Sequence, residues 1–153
     1  MIKVSAPGKL FISGEWAILE VGNPGIVAAV NKRVFAEIEE AEKISITIED
    51  FAIKNLEAEF YGKNLNFKRE LSEKEKEDIK FIKAAIETVL QYLGNFKNFS
   101  IRTWGEETYA ELSGEKKKIG FGSSAASVVA VIGAILKFHG EDIESKEAKD
   151  RIY

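Results

Sequence analysis

The hydrophobic period of this chain changes from two residues to about 3.6 along its length. The segment Ile44–Glu49 alternates strictly between isoleucine and polar residues, which is typical of a half-buried antiparallel strand. From residue 79 onward the apolar residues instead follow helical spacing along one stripe, at Ile79, Ile82, Ile86, Val89, Leu90 and Leu93. The two periods together predict an α+β fold, in which a sheet is combined with helices.

Other segments before and after this change also have the pattern of strands. The continuous apolar run Ile26–Val30 is short enough for a buried strand. No helix or strand is predicted for the polar stretch Gly105–Lys118. Further extended segments are predicted at Ile2–Val4, Leu10–Ile12, Val34–Glu39 and Phe99–Trp104.

The first predicted helix spans Glu73–Leu93. Ser72 and Glu75 have the spacing of a capping box at its start, and Gly94 stands where a helix ends.

A second helix is predicted to begin near Ser123 or Ser124 and to end at about Phe138. Its residues are apolar nearly all round, so we expect it to lie buried at the centre of the domain. A third helix is expected to open at Ser145, and the chain stops at Tyr153 without a helix-stop signal. We therefore expect the chain to be truncated within that helix.

Composition excludes several classes of protein. The 153 residues suit one domain, or one domain and part of a second. The net charge of -3 argues against a general nucleic-acid binder. The absence of cysteine excludes disulfides and thiolate metal sites. There is no apolar stretch of membrane-spanning length and no signal-peptide pattern at the start, so a cytoplasmic protein without membrane contact is expected. Abundant Lys and Glu resemble the usage of thermophile proteins.

The segment Lys116–Ser127 is a basic, glycine-containing loop that runs directly into the second helix. A helix N-terminus presents unpaired N–H groups and a partial positive charge. Glycines allow close approach of an anion, and adjacent hydroxyls can donate hydrogen bonds or bind Mg²⁺. The loop therefore has the parts of a phosphate cradle, although it is not a Walker A loop because no lysine follows Gly122. An ordinary turn with a serine N-cap would give the same pattern.

The segment Pro7–Glu20 is the second candidate. Lys9 follows a glycine, and Gly14-Glu15 comes shortly after it. A lysine and a carboxylate placed there could orient a substrate hydroxyl and neutralise developing negative charge. Taken singly, Lys9 and Glu15 are better explained as exposed surface residues.

Together the two segments resemble the first and second motifs of the GHMP kinase family. The first is carried by Pro7-Gly8-Lys9 with Gly14-Glu15, and the second by Gly120-Phe121-Gly122-Ser123-Ser124-Ala125-Ala126. The resemblance covers the whole chain but only the N-terminal part of such an enzyme. It implies a domain similar to domain 2 of ribosomal protein S5 over residues 1–153, with the C-terminal ferredoxin-like domain absent.

The resemblance also implies roles for individual residues. The second motif would bind the phosphates of ATP, and Ser124 would also hold Mg²⁺. Lys9 would be catalytic, lying near the transferring phosphoryl group. The acceptor would contact Lys9, Ser13 and Glu15. The residues implied to bind ATP are Gly120, Phe121, Gly122, Ser123, Ser124 and Ala125.

Within the family, residues 14–30 most resemble members that phosphorylate phosphomevalonate to diphosphomevalonate in isoprenoid synthesis. Other members carry His where Trp16 stands. The catalytic aspartate and the third motif of the family are missing, so we expect this chain alone to be inactive and to expose apolar surface. A kinase acting on mevalonate, and a non-catalytic nucleotide-binding or interaction module completed by a second chain or by self-association, remain alternatives.

A few further residues have weaker functional interpretations. His139 ends the second helix and would interact favourably with the helix dipole when charged. Trp104 and Tyr109 could contact the edge of a nucleotide base, although packing within the protein is the simpler role. The acidic residues of the polar stretch, Glu106, Glu107 and Glu111, are expected to be solvated.

Overall fold

A six-stranded mixed sheet forms the domain, with two helices packed on one of its faces. The computed structural model describes residues 1–106, 109–112, 115–118 and 122–145. Within these ranges the elements run in the order β1 (Ile2–Ser13), β2 (Ile26–Glu40), β3 (Ile44–Ile48), β4 (Ile53–Tyr61), β5 (Asn64–Phe67), α1 (Glu73–Leu93), β6 (Phe99–Gly105), β7 (Tyr109–Leu112), β8 (Glu115–Lys118) and α2 (Ser123–Phe138).

The sheet order is β1-β2-β6-β3-β4-β5, and β7 and β8 pair separately as an antiparallel hairpin. All neighbours in the large sheet are antiparallel except β3 and β6, which are parallel. The half-buried alternation predicted for β3 is confirmed, since its three isoleucines are buried and the residues between them are not. Its pairing is antiparallel to β4 on one side only.

The core lies between the sheet and the two helices. One face of each central strand contributes buried residues, such as Ile38 of β2 and Ile101 of β6. The opposite face carries Phe35, which stacks on Trp104 with ring centroids 5.3 Å apart. Trp104 is therefore used in packing within the described structure.

Helix α1 has the bounds and the caps that the sequence predicts. Ser72 Oγ accepts from the Glu75 N–H at 3.3 Å, and Glu75 Oε2 accepts from the Ser72 N–H at 2.9 Å, which completes a capping box. Gly94 ends the helix with φ +68°. The hydrogen bonds from Arg69 and from Ser72 lower the pKa of the Glu75 carboxyl to about 2.

Helix α2 is central but is not buried on every side. Ala130, Val131 and Ile135 are buried, whereas Val128 and Ile132 are only half-buried. The expectation of an all-round buried helix is therefore correct for the face on the sheet and on α1, and wrong for the side that no described element covers.

The prediction that Ile26–Val30 forms a buried strand is wrong in one respect. The segment is a strand, but Ile26 is 61% exposed and Val27 is 50% exposed. This part of β2 pairs with β1, and no described element covers its apolar side chains. A run of apolar residues predicts a strand that favours burial. Whether that strand is buried depends on another element packing over it.

The polar stretch after β6 contains strands β7 and β8, which the sequence does not predict. The helix expected from Ser145 onward lies outside the described residues beyond Ser145 itself. Among the described residues, no helix combines the length and apolar character needed to cross a membrane.

Candidate functional site

The N-terminus of α2 begins at a glycine and not at a serine cap. Gly122 is the N-cap, with φ +68° and ψ +36° in the left-handed region, and no side chain caps the helix. Ser123 and Ser124 lie inside the first turn, so neither hydroxyl is used as the cap. The alternative of an ordinary turn closed by a serine N-cap therefore does not describe this helix start.

The first turn of α2 leaves its backbone donors open to solvent. The first hydrogen bond within the helix runs from the Ala126 N–H to the Gly122 carbonyl at 3.3 Å. Within the described part of the chain, the N–H groups of Ser123, Ser124 and Ala125 have no hydrogen-bond acceptor, and these residues are exposed. Such donors, with the partial positive charge of the helix end, can bind an anion.

Lys9 lies directly against this helix start. A Cβ atom built on Gly122 would be 3.1 Å from Lys9 Cγ and 3.1 Å from the Lys9 carbonyl oxygen. Two residues more than a hundred positions apart are thus brought into contact. The lysine is exposed, and its Nζ lies 5.2 Å from the centroid of the Phe11 ring, which is a cation–π distance.

Irregular pairing of β1 with β2 accompanies this placement of Lys9. The register shifts between Pro7 and Gly8 and again between Phe11 and Ser13. Bulges of this kind bend a strand and change the direction of its side chains. The two shifts bracket Lys9, so the segment that carries the lysine is set apart from the regular ladder on either side.

The other residues predicted for the first motif lie at the end of the same hairpin. Gly14 has φ +83°, and a Cβ there would be 2.5 Å from the Pro24 carbonyl oxygen. The Gly14 carbonyl accepts from the Ile18 N–H at 3.1 Å, which links the glycine to the short 3-10 turn at Ala17–Leu19. Ser13 and Glu15, on either side of this glycine, are exposed. Their side chains make no hydrogen bond or ion pair within the described residues.

The end of this hairpin also exposes a patch of large apolar side chains. We call residues 9–30 the distal hairpin, which is the part of the β1–β2 hairpin beyond the first register shift. Trp16 is 80% exposed and Leu19 is 72% exposed. The exposed large apolar residues of the distal hairpin are Leu10, Ile12, Trp16, Ile18, Leu19, Val21, Ile26 and Val27. Patches of this kind mark surfaces that contact another protein or domain, in agreement with the exposed surface expected from the sequence.

Some residues singled out from the sequence lie outside the part of the chain that the structure describes. Gly120 and Phe121 of the predicted phosphate loop lie outside the described residues, as does Glu107. The same holds for the side chains of Tyr109 and Glu111. The ATP-binding role predicted for Gly120 and Phe121 therefore stays a prediction.

The described residues fit Mg²⁺ only in part. Ser124 offers a hard hydroxyl oxygen on an exposed first turn, which suits Mg²⁺ bound mainly through a nucleotide's phosphates. No group of three or more His, Asp or Glu residues with metal-binding geometry occurs in the described ranges. A magnesium ion there would depend on phosphate oxygens, and Ser124 is the protein ligand that this part of the chain provides.

Two further residues have structural partners instead of site roles. Glu106 Oε2 accepts from the Arg33 N–H at 2.9 Å, which extends the pairing of β2 with β6. The Lys97 N–H donates to His139 Nε2 at 3.0 Å, so the other ring nitrogen carries the proton and donates to the Ile135 carbonyl at 2.7 Å. Both ring nitrogens of His139 are therefore used in hydrogen bonds within the fold.

Sequence reasoning missed Phe11 as a neighbour of Lys9. The two residues are two positions apart on β1, and alternating strand geometry places such residues on one face. That spacing is the signal that could have identified Phe11. The approach of Gly14 to Pro24 had no comparable signal, because it depends on how the hairpin closes.

This chain is similar to known kinases over most of its length. Residues 80–151 match the family described as GHMP kinases N terminal domain. The phosphomevalonate kinase of Streptomyces sp. (strain CL190) is 26% identical over 93% of this chain and 39% of its own length. The mevalonate kinase of Pyrococcus furiosus is 32% identical over 94% of this chain and 41% of its own length.

Solved structures give the same result at the level of the fold. Streptococcus pneumoniae phosphomevalonate kinase, in complex with phosphomevalonate and AMPPNP, superposes with a TM-score of 0.67 at 28% identity, covering 93% of this chain and 38% of that one. Methanococcus jannaschii mevalonate kinase superposes with a TM-score of 0.69 at 20% identity, covering 99% and 44%. The expected resemblance to the N-terminal domain of GHMP kinases is confirmed, and the chain spans about 40% of the length of these relatives.

Proposed function

We propose that this chain, a homologue of the N-terminal part of GHMP kinases, is the ATP-binding domain of a kinase of the mevalonate pathway. The observation that carries the proposal is the contact between Lys9 and Gly122. It brings a lysine residue against a helix start with open backbone donors, and phosphoryl transfer depends on cationic groups and N–H donors of this kind.

Each residue of this arrangement has a part in the proposed chemistry. The N–H groups of Ser123, Ser124 and Ala125 hold phosphate oxygens, assisted by the partial positive charge of the helix end. The Ser124 hydroxyl is a ligand of Mg²⁺, which when bound neutralises charge on the phosphates. The Lys9 ammonium stabilises the charge on the transferring phosphoryl group and orients the acceptor oxygen.

The acceptor is proposed to be phosphomevalonate. Its phosphate and carboxylate are anionic, and Lys9 is an exposed cation on the distal hairpin. Ser13 and Glu15 lie on the same hairpin, where they can bind the hydroxyl group of the acceptor. Mevalonate is the alternative acceptor, since mevalonate kinases are also among the relatives. Comparing the two acceptors in a kinase completed with a C-terminal domain distinguishes them.

The chain alone is proposed to lack turnover. Its relatives are about two and a half times as long, and the apolar side chains of the distal hairpin are uncovered beside the proposed site. A coupled ADP-release assay on this chain is expected to give a rate at background. Ordinary turnover would contradict the proposal that a second domain is required. ATP binding without turnover in a completed protein would favour the non-catalytic alternative.

Calorimetric titration with ATP tests the proposed site. The wild-type chain is expected to bind ATP more tightly with Mg²⁺ than without it, and Ser124→Ala is expected to remove most of that difference. Ser127→Ala is the matched control, because the Ser127 hydroxyl donates to the Ser123 carbonyl at 2.8 Å and is thereby engaged within the helix. Equal Mg²⁺ dependence in wild type and Ser124→Ala would contradict the assignment of Ser124.

A further inference from the structure

Gly122 and Lys9 form a contact that a side chain at position 122 would disturb. The Cβ of any other residue would lie 3.1 Å from the Lys9 carbonyl oxygen and 3.6 Å from its backbone nitrogen, besides 3.1 Å from Cγ. The Lys9 side chain could move aside, and the nitrogen is at an ordinary van der Waals distance. The carbonyl oxygen belongs to β1 and cannot move without shifting the strand.

The side chain of Lys9 is held at a second point. Its Nζ lies over the Phe11 ring at 5.2 Å from the centroid. The aliphatic part of Lys9 thus passes Gly122 while the ammonium rests on Phe11. This arrangement fixes the direction of an exposed lysine, whose side chain would otherwise sample many rotamers.

We propose that Gly122 is a positioning residue for Lys9: the missing side chain lets β1 approach the first turn of α2 and holds the Lys9 side chain between that turn and the Phe11 ring. This inference rests on the proposed function for its consequence in nucleotide binding. The placement of Lys9 itself does not depend on any ligand.

A glycine with a similar positive φ and open space around it provides the control. Gly62, in the turn between β4 and β5, has φ +66°, and a Cβ there would meet nothing within 4 Å. Gly62→Ala therefore carries the strain of a positive φ alone, while Gly122→Ala carries that strain and the contact with Lys9. Differences between the two variants report on the contact.

The first measurement is nucleotide-free NMR of the Lys9 side chain. The Phe11 ring current is expected to shift the Lys9 Cε protons upfield in wild type and in Gly62→Ala, and the shift is expected to be lost in Gly122→Ala. Phe11→Leu confirms its origin. If Gly122→Ala does not fold, Gly122→Asn introduces the same Cβ in a residue that tolerates positive φ. An unchanged upfield shift in the variant at position 122 would overturn the proposal.

The second measurement is a double-mutant cycle on MgATP binding. Gly122→Ala is expected to weaken binding about tenfold when Lys9 is present, and to have little further effect in a Lys9→Met chain. Gly62→Ala should bind as wild type does. An equal loss in both backgrounds would overturn the proposal, because Gly122 would then act without Lys9. If the wild-type chain bound no MgATP, the proposed function would fail, and the NMR comparison would still decide the placement of Lys9.

Discussion

The two ends of strand β2 differ in how completely they are packed. At one end Val34, Ala36 and Ile38 are buried beneath the helices. At the other end Ile26 and Val27, equally apolar, are at least half exposed. Strand β2 thus runs from a well-packed hydrophobic core to a surface with exposed apolar side chains.

This difference teaches where the proposed site lies relative to the stable part of the fold. Lys9, Ser13 and Glu15 all belong to the distal hairpin, next to the uncovered apolar side chains. The first turn of α2, which contacts Lys9, is exposed as well, while the rest of that helix is anchored in the core. The residues of the proposed site therefore lie at the less packed end of the domain, and the more packed end holds them in place.

Truncating matched isoleucines on β2 should give the largest contrast. Ile38→Ala is expected to cost about 2–5 kcal/mol, since a fully buried side chain leaves a cavity. Ile26→Ala, at a position that is 61% exposed, should change the free energy of unfolding by less than about 0.5 kcal/mol. Urea denaturation measures both. Similar costs at the two positions would mean that the ends of β2 are equally packed.

Glycine substitutions within the distal hairpin test whether its tip is rigid. Gly14→Ala is expected to cost about 1–3 kcal/mol, because the new Cβ would press on the Pro24 carbonyl as well as strain the backbone. Gly22→Ala, with φ +97° and nothing within 4 Å, should cost about 1 kcal/mol or less. Urea denaturation and amide exchange at Ile18 check this. A larger loss for Gly22→Ala would show that contact with Pro24 does not matter.

On the packed side, His139 should contribute a smaller amount through its two hydrogen bonds. His139→Phe keeps a ring beside Phe99 and Phe138 but leaves the Lys97 N–H without its acceptor. We expect a loss of about 1–2 kcal/mol in the free energy of unfolding. His139→Ala, which removes the ring too, should lose more. A neutral result for His139→Phe would mean that the hydrogen bonds contribute nothing beyond the ring contacts.

The smallest effect is expected at the exposed capping box of α1. The folded-state pKa of Glu75 is lowered from 4.5 to about 2, so its stabilising contribution is present above pH 4.5 and is lost as the pH falls toward 2. The difference in unfolding free energy between wild type and Glu75→Gln should therefore shrink over that window. A difference that stays constant from pH 6 to pH 2 would contradict the lowered pKa.

The sequence predicts the parts of the fold that depend on local signals. Helix α1 is specified by its apolar stripe, by Ser72 with Glu75, and by Gly94, all within its own segment. The half-buried alternation of β3 is local in the same way.

Features that depend on distant partners could not be predicted. The parallel pairing of β3 with β6 and the exposure of Ile26 depend on which elements lie alongside. The same holds for the candidate site. The motifs identified Lys9 and Gly122 as site residues, but the contact between them could be seen only in the folded structure. Local pattern also left two interpretations of the start of α2 open, and the structure has Gly122, not a serine, as the N-cap.

The proposed anion site at the start of α2 is tested most directly by amide NMR during titration with MgATP. Hydrogen bonds from the open N–H groups to phosphate oxygens should move the amide signals of Ser123, Ser124 and Ala125 most, and those of the buried residues Ile135 and Ile38 least. Lys9 should respond together with the helix start. Shifts confined to other parts of the chain, or no saturable shift at Ser123–Ala125, would contradict the account.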